Sequence, residues 1–309
     1  MPKNIRIANR REIKDFIPGI FLFVIIDILA LLTIGTFKAS GVAVFSNPND
    51  PADIVYLFST LLMVTLAFLL IARFWKKQLI QVILISSIAL TVFSTFFTLS
   101  ATLLPGELSL FLSITAAAIL VIVLVGYPEW YVVDVCGIIL GVGIIGILGI
   151  SLNVFLVIIL LIALAIYDAV SVYKTKHMID LAETVLDLRL PAVLVIPRTL
   201  NFSLIKETRI LKEKPADNKQ RNAFFIGLGD IIMPGILVAS TFNNIPSNGL
   251  IVALSVLLGT ILGFIFLMRR AMKGKPQAGL PFLCGGAILG YLLSSYVLFG
   301  TLAGFSWLV

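Results

Sequence analysis

The stretch from residue 223 to 243 reads AFFIGLGDIIMPGILVASTFN, 21 residues with a single charge, Asp230. About 20 mainly apolar residues are what a helix needs to cross a bilayer, so the stretch reads as a membrane span. A carboxylate in hydrocarbon costs roughly 2.5–3.5 kcal/mol or more, which is tolerated where the acid has a task and a partner. A second acid is in the same position. Asp168 lies in the apolar run Val157–Ala169, within Ile166-Tyr167-Asp168-Ala169. Each is a candidate partner for the other, and two acids that share one proton can activate water for hydrolysis of a peptide bond.

The rest of the chain resembles these two stretches. Hydrophobic residues make up 60% of the 309 and charged ones 13%, with a mean hydropathy of +1.10. Nine apolar windows of span length follow one another: 17–37, 54–72, 79–101, 108–126, 131–150, 152–173, 223–243, 249–268 and 281–303. The expectation is an all-α polytopic membrane protein of nine helices. It forms one membrane domain, 1–309, with six spans in 1–173, a cytoplasmic loop over 174–222 and three spans in 223–309. Windows this long, with no alternation of polarity, exclude an outer-membrane barrel. The first window has an apolar core too long for a signal peptide and reads as an uncleaved span. The net charge of +7 does not point to nucleic acid. With the N-terminus in the cytoplasm, 22 of the 23 basic residues fall on the inner side and only Lys38 outside. That is the positive-inside distribution, and it puts the C-terminus outside and a basic face against lipid headgroups.

Asp168 precedes Lys174 by six residues and Asp230 follows Arg221 by nine. At a rise of ~1.5 Å per residue both lie in the inner half of the bilayer, at similar depth on antiparallel helices. Between them, His177–Arg189 has helical apolar spacing. The run Pro191–Pro197 is β-branched, bounded by prolines and too short to span, and reads as a strand or a re-entrant edge. An extended substrate could add to it as a further strand. Residues 206–221 are charged.

Tyr167-Asp168 in one span and Gly227-Leu228-Gly229-Asp230 in the next, across a long loop, resemble the presenilin and signal peptide peptidase family of intramembrane aspartyl proteases. The nine spans match that layout, and the inward N-terminus is similar to the presenilin branch. A third element, Ala278-Gly279-Leu280-Pro281, resembles the family's Pro-Ala-Leu motif at the start of the ninth span. Leu280 and Pro281 agree with it, and Ala278 and Gly279 replace Pro and Ala. The resemblance implies that Asp168 and Asp230 are the catalytic pair and that Tyr167, Gly227, Leu228, Gly229, Ala278, Gly279, Leu280 and Pro281 shape the site. It implies an aspartic endopeptidase that cuts transmembrane segments or remnant signal peptides. No metal, cofactor or obligatory partner subunit is then expected, a homo-oligomer is possible, and the setting is the plasma membrane of a microbe.

Beside the resemblance, small residues at Gly227 and Gly229 permit close backbone approach and can loosen a helix before Asp230. Tyr167 points to a different azimuth from Asp168, so groove-lining and plain packing both stay open for it. Asp27, midway through the first span, reads as a packed or locally hydrogen-bonded acid, and Asp134 as an interfacial one. His177 is the only histidine, and with no neighbouring cysteine it gives no metal site. Cys136 and Cys284 read as buried small hydrophobes. A Gly-x-Ser-x-Gly elbow and a His-Glu-x-x-His pair are both absent. The rival reading is a cation or proton channel or transporter lined by Asp27, Asp168 and Asp230, although no inverted repeat is visible.

Overall fold

The computed structural model describes residues 3–41, a few positions between 52 and 63, and 77–175, 193–197, 202–205, 223–271 and 277–304. Side chains of residues 3–16, 77–81, 174, 175 and 271 lie outside that description. Eight helices are described: α1 (Lys3–Ala39), α2 (Lys77–Ala101), α3 (Gly106–Gly126), α4 (Trp130–Ser151), α5 (Val154–Val170), α6 (Leu228–Asn244), α7 (Gly249–Ala271) and α8 (Leu280–Phe299). Two strands, β1 (Val193–Pro197) and β2 (Ala223–Gly227), lie between α5 and α6. Among the described residues seven helices, all but α6, are long and apolar enough to cross a membrane. The chain is an integral, multi-pass membrane protein.

Helix α4 is the most deeply packed of these spans. Its small residues make that possible. A Cβ at Gly146 would press on the Phe37 ring of α1, and one at Gly149 would collide with Ala239 of α6. In lipid, helices associate by close packing rather than by escape from water, and small residues at the contact permit it. The main core therefore joins Phe23 and Ile26 of α1, Ile145 of α4, Leu161 of α5 and Ile231 and Ile236 of α6.

The connection between α4 and α5 is as short as its sequence suggests. Asn153 caps α5 by accepting from the Leu156 amide at 2.8 Å. The Leu152 carbonyl left over is satisfied from α6, by Ser240 Oγ at 2.9 Å and Asn244 Nδ2 at 3.1 Å. No water is available in hydrocarbon to do this instead. Helices α7 and α8 are in closest contact: a Cβ at Gly259 would meet the Gly286 carbonyl, and one at Gly286 the Gly259 carbonyl.

Two expectations need revision. Residues 223–243 do not form one helix. Ala223–Gly227 is a strand, and the helix begins at Leu228. Aromatic and β-branched side chains followed by two glycines favour extended backbone there, and Gly227 itself is extended at φ −60°, ψ 130°. The remaining helix of 17 residues is ~26 Å long, short of a ~30 Å hydrocarbon core. The last window also stops early as a helix, at Phe299, where Gly300 takes the left-handed conformation (φ 68°). The window 54–72, the helical pattern at 177–189 and the charged stretch 206–221 lie outside the described residues.

The short run between prolines is a strand. It pairs antiparallel with β2, with Val193 opposite Gly227 and Val195 opposite Phe225. Side chains alternate faces along it. Leu194, Ile196 and Ile226 enter the main core, whereas Val195 and Ala223 join a second cluster with Val132, Val133 and Cys136 of α4.

Candidate active site

Asp168 is near the C-terminal end of α5, where the backbone widens into one π-helical turn, Ser171–Thr175. Asp230 is in the first turn of α6, the end of a helix that favours an acid. The third contributor is the segment leading into α8. The Leu280 amide donates to Asp168 Oδ2 at 3.0 Å. On the other side of the same segment, a Cβ at Gly279 would lie 3.2 Å from Asp230 Oδ2, and one at Gly227 3.3 Å from the same atom. Both carboxyls thus lie against the Gly279–Leu280 backbone. Three elements distant in sequence thus converge, and the amide end of α8 faces the acids.

Asp168 is buried and Asp230 is half-buried. Ala278 is buried beside them and Leu228 is in the main core. Gly229 is exposed, and among the described residues nothing beyond its own stretch of helix lies within 4 Å of where its Cβ would be. The face beside Asp230 is therefore open. Pro281 starts α8 and lines a groove on the far side of that helix. Tyr167 is 69% exposed and does not point with Asp168 into the site. Asp27 is buried against Gly235 of α6, and neither of its oxygens has a hydrogen-bond partner. Of the two readings offered for it, the packed one is found and local hydrogen bonding is not.

Three residues carry more than their sequence context suggested. Asp134 of α4 accepts the Val195 amide at 2.7 Å, so it ties down β1. Glu129, at the N-cap position of α4, accepts from Ser203 Oγ at 2.7 Å and from the Leu204 amide at 3.0 Å. Cys284, one turn into α8, is buried within electrostatic reach of both Asp168 and Asp230. The signal for Cys284 was its place four residues after Leu280, one helical turn on the same face. The partners of Asp134 and Glu129 are 61 and 75 residues away, and no local pattern reveals them. Among the described residues no group of His, Cys, Asp and Glu could hold a metal ion.

The Val195 bond also fixes which edge of the hairpin is taken. Because that amide points away from β2 toward Asp134, Val195 and Phe225 form a non-hydrogen-bonded pair. Phe225 therefore turns its own amide and carbonyl away from β1, along the outer edge of β2, which runs straight into Gly227 and Asp230.

Residues 20–301 match the family model described as signal-peptide peptidase, presenilin aspartyl protease. A solved structure of a presenilin family intramembrane aspartate protease in space group C222 is similar to this chain. It is 29% identical, with a TM-score of 0.69, and the match covers 91% of this chain and 99% of that one. A second, in space group P2, is 30% identical with a TM-score of 0.66 and covers 90% and 96%. No curated protein matches the chain.

Proposed function

The chain belongs to the signal-peptide peptidase, presenilin aspartyl protease family, and we propose that it cuts peptide bonds inside membrane-spanning segments with Asp168 and Asp230. The observation that supports this is their convergence on one short segment, Gly279–Leu280. Two carboxyls this close share a proton. The ionised member takes a proton from water. The water attacks the scissile carbonyl carbon while the protonated member donates to the carbonyl oxygen. The tetrahedral intermediate then breaks its C–N bond as the amine leaves with a proton. The Leu280 amide orients Asp168, and Gly279 and Gly227 leave room for Asp230.

A transmembrane substrate must be unwound first, because a helix hides its peptide bonds. The outer edge of β2 offers the place. A substrate strand paired there has its backbone groups satisfied, and the chain continuing past Phe225 reaches the open face at Gly229 and Asp230. The outer edge of β1, where the sequence alone suggested that a substrate strand could add, is engaged by Asp134 at Val195. Substrates are transmembrane segments or remnant signal peptides. The fold has nine spans with the N-terminus in the cytoplasm and the C-terminus outside, in a microbial plasma membrane, acting without obligatory subunits. No observation favours the ion-pathway reading. Asp27 is sealed in the α1–α4–α6 core.

The test is cleavage of a labelled transmembrane peptide by the purified protein across pH, with products identified by mass. A pair sharing one proton gives a bell-shaped rate profile, lost at low pH when both acids are protonated and at high pH when both are ionised. A rate that rises steadily with pH would remove the shared proton from the mechanism.

A further inference from the structure

On the outer face of α7 and α8, away from the acids, is a groove of about 790 Å³. It exists because the glycine contacts bring the two backbones together and leave no side chain to fill the space above them. Leu258, Leu262 and Phe266 line one wall, and Pro281, Gly285 and Leu289 the other. From Ile251 to Phe266 the lining runs ~22 Å along α7, more than one leaflet's half of a ~30 Å hydrocarbon core.

One end of this apolar groove carries a positioned cation. The Arg270 guanidinium lies 5.3 Å from the Phe266 ring centroid and 5.7 Å from that of Phe282. Both rings line the groove. Stacked on two aromatic faces, the group is held at the groove's mouth rather than free to wander. Arg270 and Arg269 are exposed, and no carboxylate pairs with either among the described residues. Lys273 and Lys275 follow in the sequence.

We propose that this groove binds an anionic phospholipid, with an acyl chain along the groove and its phosphate on Arg270. A planar guanidinium meets phosphate oxygens through two parallel N–H bonds. An exposed cation at the end of an apolar channel selects an anionic headgroup over a zwitterionic one. A second copy of the chain fits less well: with both copies upright in one bilayer, groove-to-groove pairing would bring two Arg270 clusters together. The lipid would rest on Pro281 and Phe282, next to Leu280, whose amide holds Asp168. Binding itself does not depend on the proteolytic reading.

The experiment is native mass spectrometry of the full chain in mixed micelles of phosphatidylglycerol and phosphatidylcholine. Three samples are compared: the parent, Arg270→Gln and Gly285→Phe. A Cβ at Gly285 has open space around it, so the phenyl ring enters the groove without disturbing the helices, which circular dichroism verifies. The expected result is preferential retention of phosphatidylglycerol by the parent. Arg270→Gln loses that preference by about fivefold while still holding phosphatidylcholine, and Gly285→Phe retains less of both. The proposal is overturned if the parent holds the two lipids equally or if Arg270→Gln keeps the preference. It also fails if Gly285→Phe leaves lipid unchanged, and a change in oligomeric mass in that case would make the groove a face between copies.

Discussion

Two intramembrane acids at matching depth are informative because hydrocarbon penalises each of them separately, and only a shared task offsets that. The residues around them divide by the space they have. Gly229 has open space where Gly227 and Gly279 do not, so its substitution separates substrate passage from folding. Gly229→Ala is expected to leave the thermal midpoint unchanged or to raise it, since alanine is favoured in a helix by up to ~1 kcal/mol. Peptide cleavage should fall, because the added methyl meets the incoming strand. Unchanged cleavage would mean that the substrate does not pass over Gly229. Asp27 behaves differently. It is buried with both oxygens unpartnered, and a stranded polar group costs ~1–3 kcal/mol. Asp27→Leu, with the same branching, should raise the midpoint in detergent; a marked fall would show that the carboxyl has a partner after all. Residue spacing made Asp168 and Asp230 candidate partners, and the structure sets both against Gly279–Leu280. The lack of a hydrogen-bond partner for Asp27 could not be read, because it depends on how α1 meets Gly235 of α6.

At the scale of elements, the hairpin separates what local sequence declares from what it hides. The β-branched run between Pro191 and Pro197 is strand-like on its face, and it is a strand. Residues 223–227 carry the same preference, but they sit at the head of a long apolar window and were absorbed into it. Pairing with β1 decides the matter, and that partner is some 30 residues away. The bond from the Val195 amide to Asp134 was hidden for the same reason, since it crosses 61 residues. The segment Gly279–Leu280, in contrast, was marked by the likeness of Ala278-Gly279-Leu280-Pro281 to the family's Pro-Ala-Leu motif. The hairpin's geometry makes its own prediction. Phe225→Pro removes an amide that points away from β1, so the β1–β2 ladder survives while the outer edge loses a donor. Cleavage should drop at least tenfold, about the worth of one backbone hydrogen bond in a site without competing water, with no loss of thermal stability. Full activity in that variant would remove β2's outer edge from substrate binding.

For the whole molecule, the orientation proposed above rests on the basic residues, 22 of 23 of which fall on the inner side when the N-terminus is cytoplasmic. In that orientation the connector between α6 and α7 lies outside. Ser247→Cys should therefore react with an impermeant maleimide added to intact cells, since Cys136 and Cys284 are buried; labelling only after lysis would invert the topology. The packing brings the ends of α5, α6 and α8 together at Gly279–Leu280, on the inner side in the proposed orientation, with Asp168 and Asp230 both against that segment. The most direct test is cleavage of a labelled transmembrane peptide by the purified chain beside Asp168→Asn and Asp230→Asn. Each variant keeps the shape of the side chain but cannot exchange the shared proton. The account predicts that the parent cuts and that each variant loses about 10²–10⁴-fold or more, with both still folded. Cleavage that survives in either variant would contradict it.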